Sequence, residues 1–192
     1  MLEELIKSFI TLFIIMDPFM SAAFFVGFSR NLNEKQKNKS IWIAISVAAA
    51  LIFIFLFTGL YALNILGISF NGFKIAGGII LLIMGVTTVL AININPKSGN
   101  VSSAAILIGT PLLSGPGALT TIIILSNDYG YLIPGLAALL VVIVSYFMLK
   151  FAHVLQRLLS LEVIEILSKV LGLLLAALAV DFIHGGIVGF IG

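Results

Sequence analysis

The chain has 192 residues, of which 61% are apolar and only 9% are charged, and its formal net charge is +2. Soluble proteins carry about 25% charged residues, so this composition excludes an ordinary soluble domain. It also argues against nucleic-acid binding, which needs a basic surface, and the absence of cysteine excludes disulfides and thiolate metal sites. We therefore predict an all-α integral membrane protein.

The apolar residues form six segments, each close to the roughly 20 residues that cross a hydrocarbon core of about 30 Å. In chain order the predicted spans are 5–28, 41–63, 73–92, 103–126, 131–149 and 169–191. The connections between them are short. We therefore expect a single membrane domain without a separate soluble part, with the lipid bilayer as its surroundings.

Lysine and arginine residues are concentrated in the first, third and fifth connections. These are Arg30, Lys35, Lys37, Lys39, Lys97, Lys150, Arg157 and Lys169, and the opposite side has Lys7 and Lys74. Basic connections stay on the cytoplasmic side of a membrane. The basic loops are therefore predicted to be cytoplasmic, with both termini outside.

The first predicted span contains an acid followed by a proline, Asp17-Pro18. Proline removes a backbone donor and clashes with the preceding turn, so the helix is expected to break here. Irregular backbone at membrane depth is tolerated only inside protein or beside a water-filled cavity. A charged Asp at that depth costs at least about 2.5–3.5 kcal/mol on insertion scales and is a candidate functional group.

Counting from Lys7 at about 1.5 Å per residue places Asp17 about 15 Å deep, near the midplane. Its carboxylate could carry a proton, bind a cation or hold an ammonium group. Alternatively, it caps the half-helix that follows Pro18 and does no transport chemistry.

The fourth predicted span contains a second break, the segment 109–117, in which two prolines and three glycines occur among nine residues. Such a stretch does not continue as a regular helix. The backbone amides at the helix N-terminus near Gly117 suit an anion, and the freed carbonyls suit a cation. A small zwitterion fits this combination. The structural alternative is a proline kink whose backbone is satisfied by serine and threonine.

The two breaks occupy corresponding places in the two halves of the chain. The run 17–21, Asp-Pro-Phe-Met-Ser, aligns with the run 110–114, Thr-Pro-Leu-Leu-Ser. With three spans in each half, the second half crosses the membrane in the opposite sense. We predict a 3+3 inverted repeat, 1–95 and 96–192, with discontinuous first and fourth helices.

Paired interruptions of this kind point to a transporter's binding site. The predicted site residues are Asp17, Pro18, Ser21, Thr110, Pro111, Ser114, Gly115, Gly117, Thr120 and Thr121.

A second acidic residue, Asp181, lies about 18 Å beyond Lys169 by the same count and is a candidate for ion coupling. It could partner Asp17 or join a proton path, and pairing with a backbone donor near His184 is an equal alternative. Two membrane aspartates also raise the possibility of an intramembrane aspartyl protease, which needs two carboxylates that share a proton. Ala179-Val180 stand before Asp181, unlike the glycine-aspartate signature of those enzymes.

His153 and His184 have no partner at metal-ligand spacing, and Ser114 has no nucleophile-elbow context. We therefore expect no metal, no other cofactor and no enzyme activity.

Several of these segments resemble the MarC family. They are Asp17-Pro18, the runs 73–82 and 171–180, and Pro-Leu-Leu-Ser-Gly-Pro-Gly at 111–117. The family includes SnatA-type transporters of small neutral amino acids. The resemblance implies a multi-pass permease of a prokaryotic cell membrane that moves glycine, alanine or serine. It implies coupling to an ion gradient, with H+ preferred over Na+ as the coupling ion.

Two parts of the sequence depart from the family pattern. Phe19, Met20 and Ser21 stand where many members have a small residue, Gly and Asn, which bears on substrate identity. Asp181 stands where many have Gln, which bears on coupling. Other hypotheses are an exporter or permease of another small solute, and a membrane protein that transports nothing. A homo-oligomer is left open.

Overall fold

The computed structural model describes residues 1–29, 32–90 and 113–191. Helices make up nearly all of these residues, and the described ranges contain no strand. The helices are α1 (Leu2–Met16), α2 (Pro18–Ser29), α3 (Glu34–Ile65), α4 (Phe70–Val89), α5 (Pro116–Tyr129), α6 (Leu132–Lys150) and α7 (Ala152–Ile191).

The first membrane segment is broken where the sequence predicts. α1 ends at Met16, and Asp17 adopts a left-handed conformation with φ 33° and ψ 71°. Aspartate tolerates this region better than most residues do. α2 then begins with Pro18 at its first position, where the missing N–H costs nothing because that donor would be unpaired anyway.

α3 and α4 are continuous, and side chains cap both of them. Asn33 and Gln36 form a reciprocal capping box at the start of α3, and Ser69 accepts a bond from the Gly72 amide at the start of α4. α3 has 32 residues and is about 48 Å long at 1.5 Å per residue, so it extends beyond a hydrocarbon core of about 30 Å. The predicted span 41–63 is its membrane portion.

The fourth predicted span is only partly described, because residues 103–112 lie outside the described ranges. Residues 113–115 are not helical, and α5 starts at Pro116 with Gly115 as its N-cap. The predicted break is therefore present on this side. α6 follows after a turn at Gly130, whose φ of 72° suits a residue without a Cβ atom.

The last predicted span, 169–191, is the C-terminal part of a longer helix. α7 is helical from Ala152 to Ile191 except at Ser160, where φ is 53° and ψ is 160°. The Ser160 hydroxyl accepts a bond from the Val163 amide at 3.4 Å, so a new helix begins there. The charged residues at 162, 165 and 169 lower the hydropathy of this part of the helix, so the apolar pattern does not include it. They lie on the exposed side of the helix.

α4 and α7 run antiparallel and pack very closely, with small residues at the contacts. A Cβ atom added at Gly78 would lie 2.8 Å from the Ala179 carbonyl oxygen, and one at Gly85 would lie 2.7 Å from the Gly172 carbonyl oxygen. One at Gly186 would lie 2.8 Å from the Asn71 carbonyl oxygen. Glycine lets two backbones approach in lipid, where packing rather than the hydrophobic effect holds helices together.

Five stretches of the described chain are long and apolar enough to cross a membrane, judged by length and composition. They are Leu2–Gly27, Glu34–Ile65, Phe70–Val89, Leu132–Lys150 and Ala152–Ile191. Large apolar side chains cover the outside of the bundle, with Phe57 61% and Leu173 64% exposed. A soluble monomer does not present such a surface, so the prediction of an all-α integral membrane protein is confirmed. The division into repeats 1–95 and 96–192 stays a prediction.

Candidate functional site

Asp17 connects the two half-helices of the first membrane segment. Its Oδ1 atom accepts a hydrogen bond from the Met20 amide at 3.1 Å, so the carboxylate caps the first turn of α2. Its backbone carbonyl accepts a bond from the Ser21 amide at 3.1 Å. The amide dipoles at a helix N-terminus favour negative charge. The capping role considered from the sequence is thus present, and it fixes the direction of the carboxylate.

A second donor reaches the same oxygen from the other half of the chain. Ser168 on α7 is fully buried, and its Oγ atom lies 3.4 Å from Asp17 Oδ1. A buried carboxylate needs hydrogen-bond partners because leaving it unpaired in an apolar environment is costly. The bond therefore ties the break in the first membrane segment to the last helix.

The Asp17 side chain lines a small cavity, called here the Asp17 cavity, with a volume of about 80 Å³. A water molecule takes up about 30 Å³ in the liquid, so this space corresponds to roughly two or three waters. Its lining contains one charged side chain and one hydroxyl side chain among apolar groups. The lining residues are Ile14, Ile15, Met16, Asp17, Met20, Met84, Thr88, Gly172 and Leu175.

The start of α5 lies against the wall of this cavity. A Cβ atom added at Gly117 would lie 2.6 Å from Leu81 Cδ2, 3.3 Å from Met84 Sδ and 3.4 Å from Ile15 Cγ2. Both Met84 and Ile15 line the Asp17 cavity. The structure therefore brings the start of α5 next to the first break, and a side chain at residue 117 would require Leu81 to move.

Among the described residues, no side-chain cap is present at the N-terminus of α5. Gly115 is the N-cap and accepts a bond from the Leu119 amide through its carbonyl, but it has no side chain to bond the first amides. The N–H groups and the dipole of a helix N-terminus together favour an anion. Gly115 and Ser114 are buried, so the end of α5 faces protein rather than lipid.

The predicted hydroxyl side chains differ in their surroundings. Thr120 donates to the Pro116 carbonyl at 2.8 Å within its own helix, and its methyl group packs against Gly77 on α4. Ser21 and Thr121 are both fully buried, and within the described part of the chain their hydroxyls have no hydrogen-bond partner. Ser8 and Ser40, which lie outside the predicted site, have the same status, so a missing partner alone does not identify a binding group.

Three predicted site residues remain to be placed. Pro18 is buried as the first residue of α2. Thr110 and Pro111 lie outside the described residues.

Asp181 is not brought to Asp17. It lies 13 positions beyond Ser168 on α7 (168 to 181), about 20 Å along the helix, and its side chain is exposed. The two aspartates therefore form no carboxylate pair in this conformation, so the geometry that an aspartyl protease requires is not present. Within the described ranges, no three His, Cys, Asp or Glu side chains come together as metal ligands.

Three residues of this site were not predicted from the sequence. Ser168 and Thr88 are ordinary helix residues in the sequence, and Gly172 lies within an apolar run without a role of its own. An isolated serine in a membrane helix has no neighbour pattern that shows which way it faces. The glycine could have been found, since its spacing from Ala179 and Gly186 marks one face of α7.

Comparisons with known proteins agree with this architecture. A family model described as MarC family integral membrane protein matches residues 2–191. A UPF0056 membrane protein of Archaeoglobus fulgidus is 31% identical, covering 94% of this chain and 90% of the relative. The UPF0056 membrane protein MJ1677 of Methanocaldococcus jannaschii is 32% identical over 98% of both chains. A UPF0056 membrane protein of Aquifex aeolicus is 28% identical, covering 95% of this chain and 91% of the relative.

The relatives come from bacteria and archaea, and their names describe them only as membrane proteins. No solved structure matches the chain significantly. The family match covers nearly the entire sequence, including both breaks and the helices that enclose the Asp17 cavity. The chain belongs to the MarC family of integral membrane proteins.

Proposed function

We propose that the protein is a secondary transporter that moves a small neutral amino acid, such as glycine, alanine or serine, by alternating access. The observation that carries the proposal is the broken helix at Asp17. There a carboxylate inside the membrane lines a cavity that α4 and α7 complete, beside the start of α5. Ionisable residues within membrane helices mark ion and substrate pathways.

The two helix ends supply complementary groups for a zwitterion. The Asp17 carboxylate and the last carbonyls of α1 favour an ammonium group or a cation. The start of α5 favours a carboxylate. Discontinuous helices use their ends in this way in secondary transporters, and the coupling ion binds near the substrate. We assign Asp17 the ionic role, as the partner of the substrate ammonium or as the carrier of the coupling proton, with Na+ as the second choice of ion.

The size of the cavity supports a small substrate. About 80 Å³ has room for only a few non-hydrogen atoms, so an amino acid larger than the smallest ones requires the walls to move. Met20 and Met84 are the flexible parts of that wall, because methionine side chains re-pack readily. An amino acid with a long side chain would have to displace helices as well.

Uptake by purified protein in proteoliposomes tests the proposal. With an imposed proton or sodium gradient, the wild type should take up labelled glycine or alanine. Asp17→Asn should abolish driven uptake while the protein remains folded and monodisperse. Asp128→Asn is the matched control, because it makes the same change at an exposed residue outside the cavity. Full driven uptake by the Asp17 variant would contradict its ionic role.

The alternatives are separated by the choice of solute. Counterflow with a panel of small solutes distinguishes an amino-acid carrier from an exporter or permease of another compound. Thermal stabilisation of the purified protein by members of the same panel distinguishes a carrier from a protein whose breaks are structural. If no amino acid stabilises the protein or exchanges across the membrane, the proposed function is wrong.

The role of Asp181 in ion coupling stays a proposal of its own. Its position on the exposed side of α7 separates it from the Asp17 cavity. Asp181→Asn in the same liposomes should change the dependence of uptake on the proton gradient if the residue belongs to a proton path. Unchanged gradient dependence would remove it from the mechanism.

A further inference from the structure

A second cavity lies between the first turns of α3 and the last turn of α6, and it shares no lining residue with the Asp17 cavity. Its volume is about 160 Å³, and its lining combines aromatic, basic and amide side chains. The lining residues are Asn38, Ile41, Trp42, Tyr146 and Lys150. The proposed transport mechanism uses none of them.

The aromatic side chains and the lysine that line this cavity lie in contact with one another. The rings of Trp42 and Tyr146 lie 5.3 Å apart, and Lys150 Nζ lies 5.7 Å from the centre of the Tyr146 ring. Trp42 is nevertheless 60% exposed, so it is not a core residue. An indole N–H, a phenol, an ammonium and the Asn38 amide therefore stand at one opening, and all of them can donate hydrogen bonds.

The cavity belongs to the basic end of the bundle. Lys35 and Lys39 are exposed on the first turns of α3, and Lys150 ends α6. On the side toward the membrane interior, α6 continues with exposed apolar side chains, Ile143 and Phe147 being 43% and 50% exposed. Tryptophan and tyrosine mark the level of the lipid headgroups. A positively charged opening is therefore continuous with a surface that contacts acyl chains.

We propose that this cavity binds the headgroup of an anionic phospholipid, with the phosphate at Lys150 and Trp42 and the acyl chains along Ile143 and Phe147. Basic pockets between membrane helices bind phosphate-bearing headgroups. Lysine supplies the point charge, and the aromatic N–H and O–H groups supply directed bonds to the phosphate oxygens. A free phosphate ion would use the charge but leave the adjoining apolar surface unexplained.

Tryptophan fluorescence tests this directly, because Trp42 is the single tryptophan of the chain. The protein is reconstituted with brominated phosphatidylglycerol or with brominated phosphatidylcholine of identical chains, and the quenching of Trp42 is compared at equal mole fractions. Phosphatidylglycerol should quench at a severalfold lower mole fraction. Lys150→Gln should reduce this preference severalfold, because it removes the ammonium group that binds the phosphate in the cavity.

Lys35→Gln is the matched control, since it removes the same charge from the same end of the bundle without touching the cavity. It should leave the lipid preference intact. Equal quenching by the two lipids would overturn the proposal. Equal losses in the two variants would also overturn it, because they would indicate general attraction to the surface. A shift of Trp42 emission by glycerol phosphate as large as that by the lipid would exclude a lipid-specific site.

Discussion

Ser168 Oγ lies 3.4 Å from Asp17 Oδ1, so a serine in the last helix holds the carboxylate at the break in the first membrane segment. The same oxygen accepts the Met20 amide, which belongs to α2. One carboxylate oxygen therefore joins the start of α2 to α7. Any movement of α7 relative to α2 must stretch or exchange this bond. Opening or closing of the cavity by such a movement would therefore change the hydrogen bonding of Asp17.

Ser168→Ala should weaken that connection. The hydrogen bond is lost while the methylene is kept, and such bonds between membrane helices contribute about 0.6–1.7 kcal/mol. We expect a lower thermal unfolding midpoint in detergent and slower uptake of glycine in proteoliposomes. Ser145→Ala is the control, because Ser145 is equally buried but bonds the Val141 carbonyl of its own helix. Equal behaviour of the two variants would mean that the Asp17 contact has no special role.

Met20→Ala should broaden the range of substrates. Met20 lines the Asp17 cavity from α2, so its truncation enlarges the space beside the carboxylate. Valine should then compete with glycine or alanine uptake at least about tenfold better than it does in the wild type, the lower end for a methylene-sized change in a pocket. Met148→Ala truncates a methionine of similar burial on α6, outside the cavity, and should leave the selectivity unchanged.

Gly85→Ala should separate α4 from α7. The added Cβ would lie 2.7 Å from the Gly172 carbonyl oxygen and 2.8 Å from the Ala176 amide nitrogen. These are backbone atoms, so the helices themselves must move, and overpacking of this kind costs about 1–3 kcal/mol. The unfolding midpoint should fall. Because Gly172 and Thr88 line the Asp17 cavity next to this contact, substrate-induced stabilisation should fall as well.

Gly27→Ala, also at a helical glycine, should raise the unfolding midpoint, whereas Gly85→Ala should lower it. Apart from its own helical turn, no atom of the described residues lies within 4 Å of a Cβ added there, and the residue is exposed within α2. Replacing glycine by alanine in a helix favours folding by about 0.5–1 kcal/mol. A midpoint that rises for this variant and falls for Gly85→Ala would confirm that close approach, rather than glycine content, determines the contact between α4 and α7.

The breaks were predictable from the sequence because proline acts locally. Pro18 and Pro116 begin half-helices for reasons within their own turns, a missing N–H and a fixed φ. The partners that complete the site were not predictable, because they depend on which faces of distant helices meet. Nothing near Ser168 indicates that it faces Asp17. Likewise, the charges at 162, 165 and 169 conceal the helix that begins after Ser160.

Ser21→Ala should change the stability of the substrate-free protein and its affinity for substrate in opposite directions. The Ser21 hydroxyl is fully buried and has no partner among the described residues, and leaving such a group unpaired costs about 1–3 kcal/mol. Its removal should therefore raise the unfolding midpoint of the substrate-free protein. If the hydroxyl binds substrate, the extra stabilisation by glycine or alanine should shrink at the same time. Ser8→Ala is the control, because Ser8 is equally buried and unpartnered but lies two turns and more before the break. It should raise the midpoint without changing the ligand-induced shift, and a ligand-induced shift unchanged in Ser21→Ala would remove Ser21 from the site.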